Sequence, residues 1–543
     1  MGKKNRDSFV KQASILMAAG LIVRIIGMLY RSPLYAIIGE LGNGYYGYAY
    51  TVYSILLLVS SYSIPMAVSK LMSERIAKRQ YRNANKLFRG ALLYACVVGG
   101  LAALAAWFGG SFLLPAGGDN AMLALRMLAP TIFFSAILGV LRGYFQAHNT
   151  MVPTSLSQIL EQLVNAVVSV VAAWLLVENL AVTDAEVAIY GAAGGTLGTG
   201  AGVLAGIVLM LMSFTANQKS IQKRIRNDHT GVEDSYPEIF RTILLMVTPV
   251  IFSTCIYNLS SYMDQSIFAP IMLSEGWEED AVTSAYGVFT GQYMVMINIP
   301  IALANAVSTA VLPSISSSFA MRDFRETRHK MDEAIQMTMF LCIPAAVGMA
   351  VLAFPIMHLL FPNTGDTAGY LLIAGAVSVV FYSLSTITNG VLQGIGKPAV
   401  PVEHAAISLV INVAVLAVLA KFTPLHIYSV LIATIAYSLS MCVLNGRAVA
   451  GLLRYRMRVR KIFLVPVIAS AVMGVVAYVM YYGLSTLVES NALCLGAAIL
   501  GAIATYGVLY LRFAGIPREV LRRFPGGRIL VELATAMGVY GRR

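Results

Sequence analysis

The chain has 543 residues, 58% apolar and only 12% charged, with a mean hydropathy of +0.73. Soluble domains carry roughly 25% charged residues, so a chain this apolar cannot cover a water-facing surface, and disorder, collagen, coiled coil and a disulfide scaffold are excluded with it. The net charge of +13, from 39 Lys and Arg against 26 Asp and Glu, must be tested against membrane topology before nucleic acid is considered.

A helix needs about 20 apolar residues to cross a bilayer. On that measure the expected fold is an all-α polytopic membrane protein with fourteen transmembrane helices. Met1–Lys11 is polar and basic, and the apolar run from Ala13 is too long for a signal-peptide core, so the first span, 13–38, reads as retained. It carries Arg24 and Arg31, seven residues apart and therefore on one helix face, with Gly27 between them leaving room for an approaching group. Two guanidiniums on one face suit a diphosphate, because the planar fork takes oxygens in pairs; the alternative is pairing with acids on other helices. Span 2, 44–69, opens with Tyr45, Tyr46, Tyr48, Tyr50 and Tyr53, which read as an interfacial belt, with sugar stacking as the lesser reading.

Spans 3 and 4 are expected at 90–114 and 122–145. Arg126, Arg142 and, later, Arg241 lie near span ends, where their side chains can snorkel. Span 5, 154–177, carries Gln158, Glu161, Gln162 and Asn165 at i, i+3, i+4, i+7, one polar stripe. Span 6 is 187–213. Span 7, 240–272, carries Asn258, Ser261, Asp264 and Gln265, and span 8, 283–312, carries Gln292, Asn298 and Asn305. Spans 9 and 10 are 335–361 and 368–393. Span 11, 400–420, carries His404, Ser408 and Asn412 with Glu403 beside them. Spans 12, 13 and 14 are 426–450, 462–484 and 492–512. Such stripes face a wet cavity or another helix, and helix–helix glue is the alternative for the amides. Glu161 and Asp264 stand out as partners for the arginines or as cation sites. Pro33, Pro65, Pro249, Pro300 and Pro344 mark expected kinks.

Loops sort by sign. Lys3, Lys4, Arg6 and Lys11, then Arg75 to Arg89, Lys219 to Arg226, Arg322 to Lys330, Arg454 to Lys461 and Arg518 to Arg528 fall on one side. Glu40, Asp119, Glu178, Asp184, Glu186, Glu275, Glu278, Glu279, Asp280, Asp366 and Glu489 fall on the other. The positive-inside rule puts both termini in the cytoplasm and absorbs the basic surplus, which removes the case for nucleic acid. The tail, 514–543, is basic and apolar and reads as lying on the membrane surface.

The halves repeat. A shift of 247 aligns Pro115 with Pro362, Phe134 with Phe381, Gly143 with Gly390, Gln146 with Gln393 and Asn165 with Asn412; earlier, Tyr46-Gly47 meets Tyr286-Gly287 and Pro65 meets Pro300. Six spans per copy make the repeats parallel. The expected organisation is an N-terminal bundle, 1–215, a linker, 216–239, a C-terminal bundle, 240–453, around a central cavity, extra helices in 454–513, and the tail.

Cys96, Cys255, Cys342, Cys442 and Cys494 form no C-x-x-C, and His148 and His404 lack acidic or Cys partners, so no metal site and no resident cofactor is expected. Gln393-Gly394-Ile395-Gly396-Lys397 lacks the first Gly and the Ser/Thr of a phosphate loop.

Fourteen spans, a parallel repeat and arginines in span 1 resemble the multidrug/oligosaccharidyl-lipid/polysaccharide (MOP) exporter superfamily. Phe9-Val10-Lys11-Gln12-Ala13, Arg31-Ser32-Pro33-Leu34-Tyr35 and Gly390-Val391-Leu392-Gln393-Gly394 resemble its polysaccharide-biosynthesis branch, which holds stage V sporulation protein B and MurJ-type lipid II flippases. The resemblance implies a non-enzymatic transporter of the bacterial cytoplasmic membrane. Its substrate would be an undecaprenyl-pyrophosphate-linked sugar, foremost lipid II, moved to the outer leaflet by alternating access, with cell-wall synthesis proteins as partners. Arg24 and Arg31 would hold the pyrophosphate, spans 13 and 14 the lipid tail. Some members space the pair by six and follow it with an acid; here the spacing is seven and Ser32 follows. The coupling cation, Na+ or H+, is left open. The competing readings are a MATE-like drug or cation antiporter, which calls for an acid-dominated cavity, and a membrane glycosyltransferase, for which Glu278-Glu279-Asp280 is the only external acidic cluster.

Overall fold

Every regular element of the computed structural model is helical among the residues it describes: 19–513 except Leu21, Asn149, His229, Val232, Glu233, Pro362, Asn363 and Arg456, together with Val531, Glu532 and Thr535. The basic N-terminal residues, Pro362 of the repeat, Arg456 and nearly all of the tail 514–543 lie outside the described residues, as do the side chains of Pro249 and Cys255. Eleven described helices are long and apolar enough to cross a membrane, or twelve if one bent pair is a single span. The expected fourteen is therefore not reached as a count. The N-terminal part of span 1 is undescribed, span 7 has undescribed side chains, and the stretch 31–77 runs on without a loop.

The chain divides into two compact units, Met1–Gly291 and Gln292–Arg543. The first unit comprises α1 (22–29), α2 (Arg31–Leu57), α3 (Ile64–Ala77), α4 (Tyr81–Phe108), the short α5 (Gly110–Leu113), α6 (Met122–Ala147), α7 (Val152–Leu180), α8 (Asp184–Arg226), α9 (Tyr236–Ser274) and α10 (Glu279–Val288). Helix α8 has 43 residues, about 64 Å at 1.5 Å per residue, and so extends well beyond a bilayer. Capping boxes start α8 (Thr183 with Glu186) and α9 (Ser235 with Glu238).

Two backbone features organise the first unit. Gly39 has φ 64 and ψ −170, a region open in practice only to glycine, and it breaks α2 into the end of span 1 and the start of span 2. A π-helical turn, Leu58–Tyr62, then joins α2 to α3. A second π turn, Phe289–Tyr293, follows α10, so each repeat carries a π turn within its second span. Pro65 is not mid-helix as expected but stands in the first turn of α3, where its missing N–H costs nothing.

The seam between α2 and α10 explains why the first unit continues to Gly291. The repeat-matched glycines Gly47 and Gly287 both lie in it. A Cβ at Gly44 would overlap the Thr283 carbonyl, and one at Gly287 would overlap the Glu40 carbonyl and the Gly44 amide. Asn43 Nδ2 also donates to the Gly287 carbonyl at 3.0 Å. By packing, then, α9 and α10 join the first unit, whereas the sequence repeat marks its boundary in the 216–239 linker; the two criteria divide the chain differently. Gly44→Ala is expected to cost about 2 kcal/mol or more, since the obstructing atoms are backbone and cannot swing away. Denaturation in detergent, compared with Gly446→Ala at an open position, measures it.

The second unit comprises α11 (Met294–Ala320), α12 (Phe324–Val351), α13 (Ala353–Leu360), α14 (Asp366–Gly375), α15 (Val377–Gly394), α16 (Ala399–Phe422), α17 (Ile427–Leu453), α18 (Val465–Ser485) and α19 (Asn491–Phe513). The repeat is visible in its packing. Gly143 of α6 lets the Pro65 carbonyl of α3 approach, and its counterpart Gly390 of α15 lets Ser308 of α11 approach. Helices α14 and α15 meet at a 47° bend, where Tyr293 Oη reaches the freed Gly375 carbonyl at 3.2 Å and Ser378 Oγ at 3.0 Å. Helices α18 and α19 dock on α12 through Phe340, Met473, Ala477 and Tyr510, and Tyr506 Oη donates to the Phe340 carbonyl at 2.9 Å.

Candidate anion site on the first helices

Tyr30 separates α1 from α2 in name only. It stays in the αR region, and the bonds Tyr30 N–H to Ile26 and Leu34 N–H to Tyr30 run through it, so Arg24 and Arg31 stand on one nearly continuous helix about 10 Å apart along its axis. Arg24 is exposed and Arg31 half-buried. The Arg31 guanidinium lies over the Tyr46 ring, 4.6 Å from its centroid. The Tyr30 hydroxyl takes one hydrogen bond from Arg31, and a cation on an aromatic face keeps its remaining N–H groups for an anion. Neither arginine makes an ion pair among the described residues. The space at Gly27 is taken by α7: a Cβ there would be 3.2 Å from Gln162 Nε2.

The tyrosines of span 2 are not an interfacial belt. Tyr45, Tyr46, Tyr48 and Tyr53 are buried and only Tyr50 is exposed. Tyr46 stacks on Tyr50 at 5.6 Å and Tyr48 on Tyr286 at 5.1 Å. Tyr45 Oη donates to Asp280 at 3.1 Å and accepts from Asn120 at 3.0 Å. Tyr45 and Tyr48 are buried because the glycine seam brings α10 against α2, whereas Tyr46 lies against Gly195 of α8. Tyr46 thereby becomes a rigid support for Arg31.

The polar stripe of α7 divides. Glu161 accepts from Arg142 Nη2 at 2.6 Å, and Arg142 Nε reaches Ser157 Oγ at 2.9 Å. Arg142 therefore does not snorkel: its side chain is only 15% exposed and is held by the α7 carboxylate. Glu161 is an arginine's partner as expected, but the arginine is Arg142 rather than Arg24 or Arg31. Asn165 turns the other way, accepting from Ser169 at 2.9 Å at the α7–α8 seam, which is helix–helix glue. Gln158 is half-buried. Asp264 and Gln265 are both buried in the first unit, and neither atom of the Gln265 amide has a partner among the described residues.

In the second unit Gln292 is buried and accepts from Thr364 Oγ1 at 2.8 Å, while Asn298 and Asn305 are exposed on one face of α11. The 247 shift that aligns the repeats puts Asn389 where Arg142 is and His404 where Ser157 is. Those positions again form a node: His404 Nδ1 meets Asn445 Oδ1 at 2.7 Å, and Asn445 Nδ2 donates to Asn389 at 2.6 Å. One repeat thus carries an Arg–Glu ion pair where the other carries a His–Asn–Asn hydrogen-bond chain. No group of three or more potential metal ligands occurs among the described residues.

Among the described residues, the first unit accordingly presents two arginines without counter-ions and a carboxylate already paired with a third. Glu161→Gln would leave Arg142 half-buried and unpaired. A double-mutant cycle with Arg142→Met in detergent is expected to give a coupling of about 1–3 kcal/mol, and zero coupling would mean the contact is idle.

A family profile described as polysaccharide biosynthesis protein matches residues 9–319, more than half of the chain. The chain belongs to that family. A second profile, MatE, matches residues 249–418, and together they put the protein in the MOP superfamily, in the branch of MurJ and stage V sporulation protein B. The family member is similar to two Bacillus subtilis (strain 168) proteins. It is 26% identical to "Lipid II flippase MurJ" over 94% of this chain and 96% of the relative, and 24% identical to "Stage V sporulation protein B" over 97% and 100%. Its fold matches the solved structure "Lipid II flippase MurJ, inward closed conformation" with TM-score 0.64 at 17% identity, over 91% of this chain and 97% of the other. It also matches an outward-facing MATE family transporter with TM-score 0.56 at 16% identity, over 82% and 97%. A multi-pass membrane protein of transporter fold is established by these likenesses and by the apolar helices.

Proposed function

We propose that this protein is a flippase of the bacterial cytoplasmic membrane that carries an undecaprenyl-pyrophosphate-linked sugar, foremost the peptidoglycan precursor lipid II, from the inner to the outer leaflet. The observation that carries the reading is the pair of arginines on α1 and α2, without counter-ions among the described residues, beside Glu161 already committed to Arg142. A free cationic pair invites an anion and disfavours the cation antiporter, which needs uncommitted acids. The relatives named as lipid II flippase and sporulation protein, aligned over nearly the whole chain, support the same substrate class.

In this mechanism Arg24 and Arg31 replace the water around the diphosphate while the isoprenoid tail stays in lipid. Alternating access of the repeats then requires the α2–α10 seam to part. A charge moved across 100 mV is worth about 2.3 kcal/mol, and with the cytoplasm negative the field drives a diphosphate outward. Both termini lie in the cytoplasm on this reading. Expression in a host depleted of its own flippase, followed by a leaflet-accessibility assay for accumulated lipid II, tests it: restored outer-leaflet lipid II is expected, and continued inner-leaflet accumulation would reject lipid II as substrate.

A further inference from the structure

The two repeats treat one loop in opposite ways. In the first unit the sequence Ala77-Lys78-Arg79-Gln80-Tyr81-Arg82 links α3 to α4; a shift of 243 aligns it with Ala320-Met321-Arg322-Asp323-Phe324-Arg325, linking α11 to α12. The backbone repeats as well, because Arg79 (φ 59) and Arg322 (φ 58) both take the left-handed conformation. Each loop faces the segment that follows the sixth span of its repeat.

In the first unit that segment supplies acids. Asp234 pairs with Arg75, Asp234 N–H bonds Asn83, and Asp228 caps the Arg82 N–H at 2.7 Å. Hydrogen bonds from Thr230 and from the Arg82 amide hold the Asp228 carboxyl at about 2, so it is fully ionised at neutral pH. In the second unit the corresponding segment supplies more bases. Arg454 and Arg458 with Tyr455 meet Arg325, Arg328 and Asp332 of α12 around a cavity of about 650 Å³.

The acids of this cavity are already engaged. Asp332 accepts from Tyr455 Oη at 2.6 Å and pairs with Arg458 at 3.6 Å, Asp323 caps α12 through the Glu326 N–H, and Glu326 pairs with Lys330. Arg328 spends one N–H on the Leu453 carbonyl at 3.4 Å. Arg325 and Arg454 have no partner among the described residues. Arg454 also holds a left-handed backbone, φ 47, at the α17 C-terminus, a position where glycine is the ordinary choice. A residue that accepts this backbone and keeps a long cationic side chain beside the cavity has a use for the charge.

We propose that this cavity of the second unit is an anion site for a phosphate group, presented by an anionic phospholipid headgroup or by a soluble phosphate compound. The ligand takes the place that Asp228 and Asp234 fill in the first unit. Guanidinium forks match phosphate oxygens in pairs, and the C-terminal end of α17 puts the site at the depth of the headgroups. The site is separate from Arg24 and Arg31. It depends on the proposed function only for lying on the cytoplasmic face, and binding in detergent is independent of sidedness, so transport can fail while this site survives.

The test uses the full chain purified in detergent. Native mass spectrometry and thermal shift are read with phosphatidylglycerol, phosphatidylcholine and inorganic pyrophosphate. Phosphatidylglycerol or pyrophosphate is expected to bind in preference to phosphatidylcholine, measured in an Arg24→Ala, Arg31→Ala background so that only this cavity reports; the former alone identifies a lipid source, and pyrophosphate binding identifies a soluble one. Arg325→Ala with Arg454→Gly is expected to weaken binding about tenfold or more. Glycine suits the backbone at 454, so the melting temperature without ligand should hold or rise, which separates lost binding from lost fold. Lys78→Ala, a base of the first unit outside the cavity, should leave binding unchanged. No anion preference, wild-type affinity in the double variant, or an equal loss in Lys78→Ala would each overturn the proposal.

Discussion

Replacing Arg31 with alanine is expected to reduce lipid transfer by about 100-fold while the protein still folds. A charge-assisted hydrogen bond is worth about 1.5–3 kcal/mol, and a guanidinium offers a diphosphate two of them. Arg31 sits over the Tyr46 ring with no acid attached among the described residues, so its removal strands no described carboxylate. Arg24→Ala should lose about tenfold or more on the same grounds, the smaller figure because Arg24 is exposed and not held by an aromatic face. Lysine at 31 should recover only part of the transfer, since a point charge cannot reproduce the fork. Transfer rates in proteoliposomes, normalised to folded protein, give all three values.

The second large effect is a lock. A Cβ placed at Gly47 would stand 3.6 Å from Thr290 Cβ, within the roughly 3.5–4.5 Å range of disulfides. Gly47→Cys with Thr290→Cys, in a chain with its native cysteines replaced, should crosslink on oxidation. The bond would tie α2 to the π turn after α10. If transport requires that seam to part, oxidation should abolish transfer and reduction should restore it. Crosslinked protein that still transfers at the unlocked rate would show that the seam stays closed throughout the cycle. Because a Cβ at Gly47 would stand 2.7 Å from Thr290 Oγ1, the Gly47→Cys single variant also serves as the control for crowding.

What was legible in the sequence was set by local chemistry. Apolar runs of about 20 residues have one stable solution in lipid, so the helices stand where the runs are. The matched glycines Gly143 and Gly390 mark close approaches in both repeats, to the Pro65 carbonyl and to the Ser308 hydroxyl, where little room is left for a side chain. Tyr45 and Tyr48 misled because tyrosines at a span end ordinarily sit among headgroups; their burial depends on α10, some 240 residues away. Arg142 misled similarly, since nothing within its own helix announces the facing Glu161. The turn at Gly39 was hidden because an apolar run reads the same whether one helix or two pass through it. The cavity around Arg325 and Arg454 could not be weighed from a list of bases. Its meaning lies in the contrast with Asp228 and Asp234, which the fold sets against the matching loop.

Transfer of a labelled undecaprenyl-pyrophosphate-linked sugar between leaflets of proteoliposomes, measured side by side for the wild type and for the Arg24→Ala and Arg31→Ala variants, bears most directly on the claim that uncommitted arginines carry a diphosphate. The wild type should move the lipid and both variants should be severely slowed. A wild type that leaves the lipid in its original leaflet, or variants that keep pace with it, would contradict the claim.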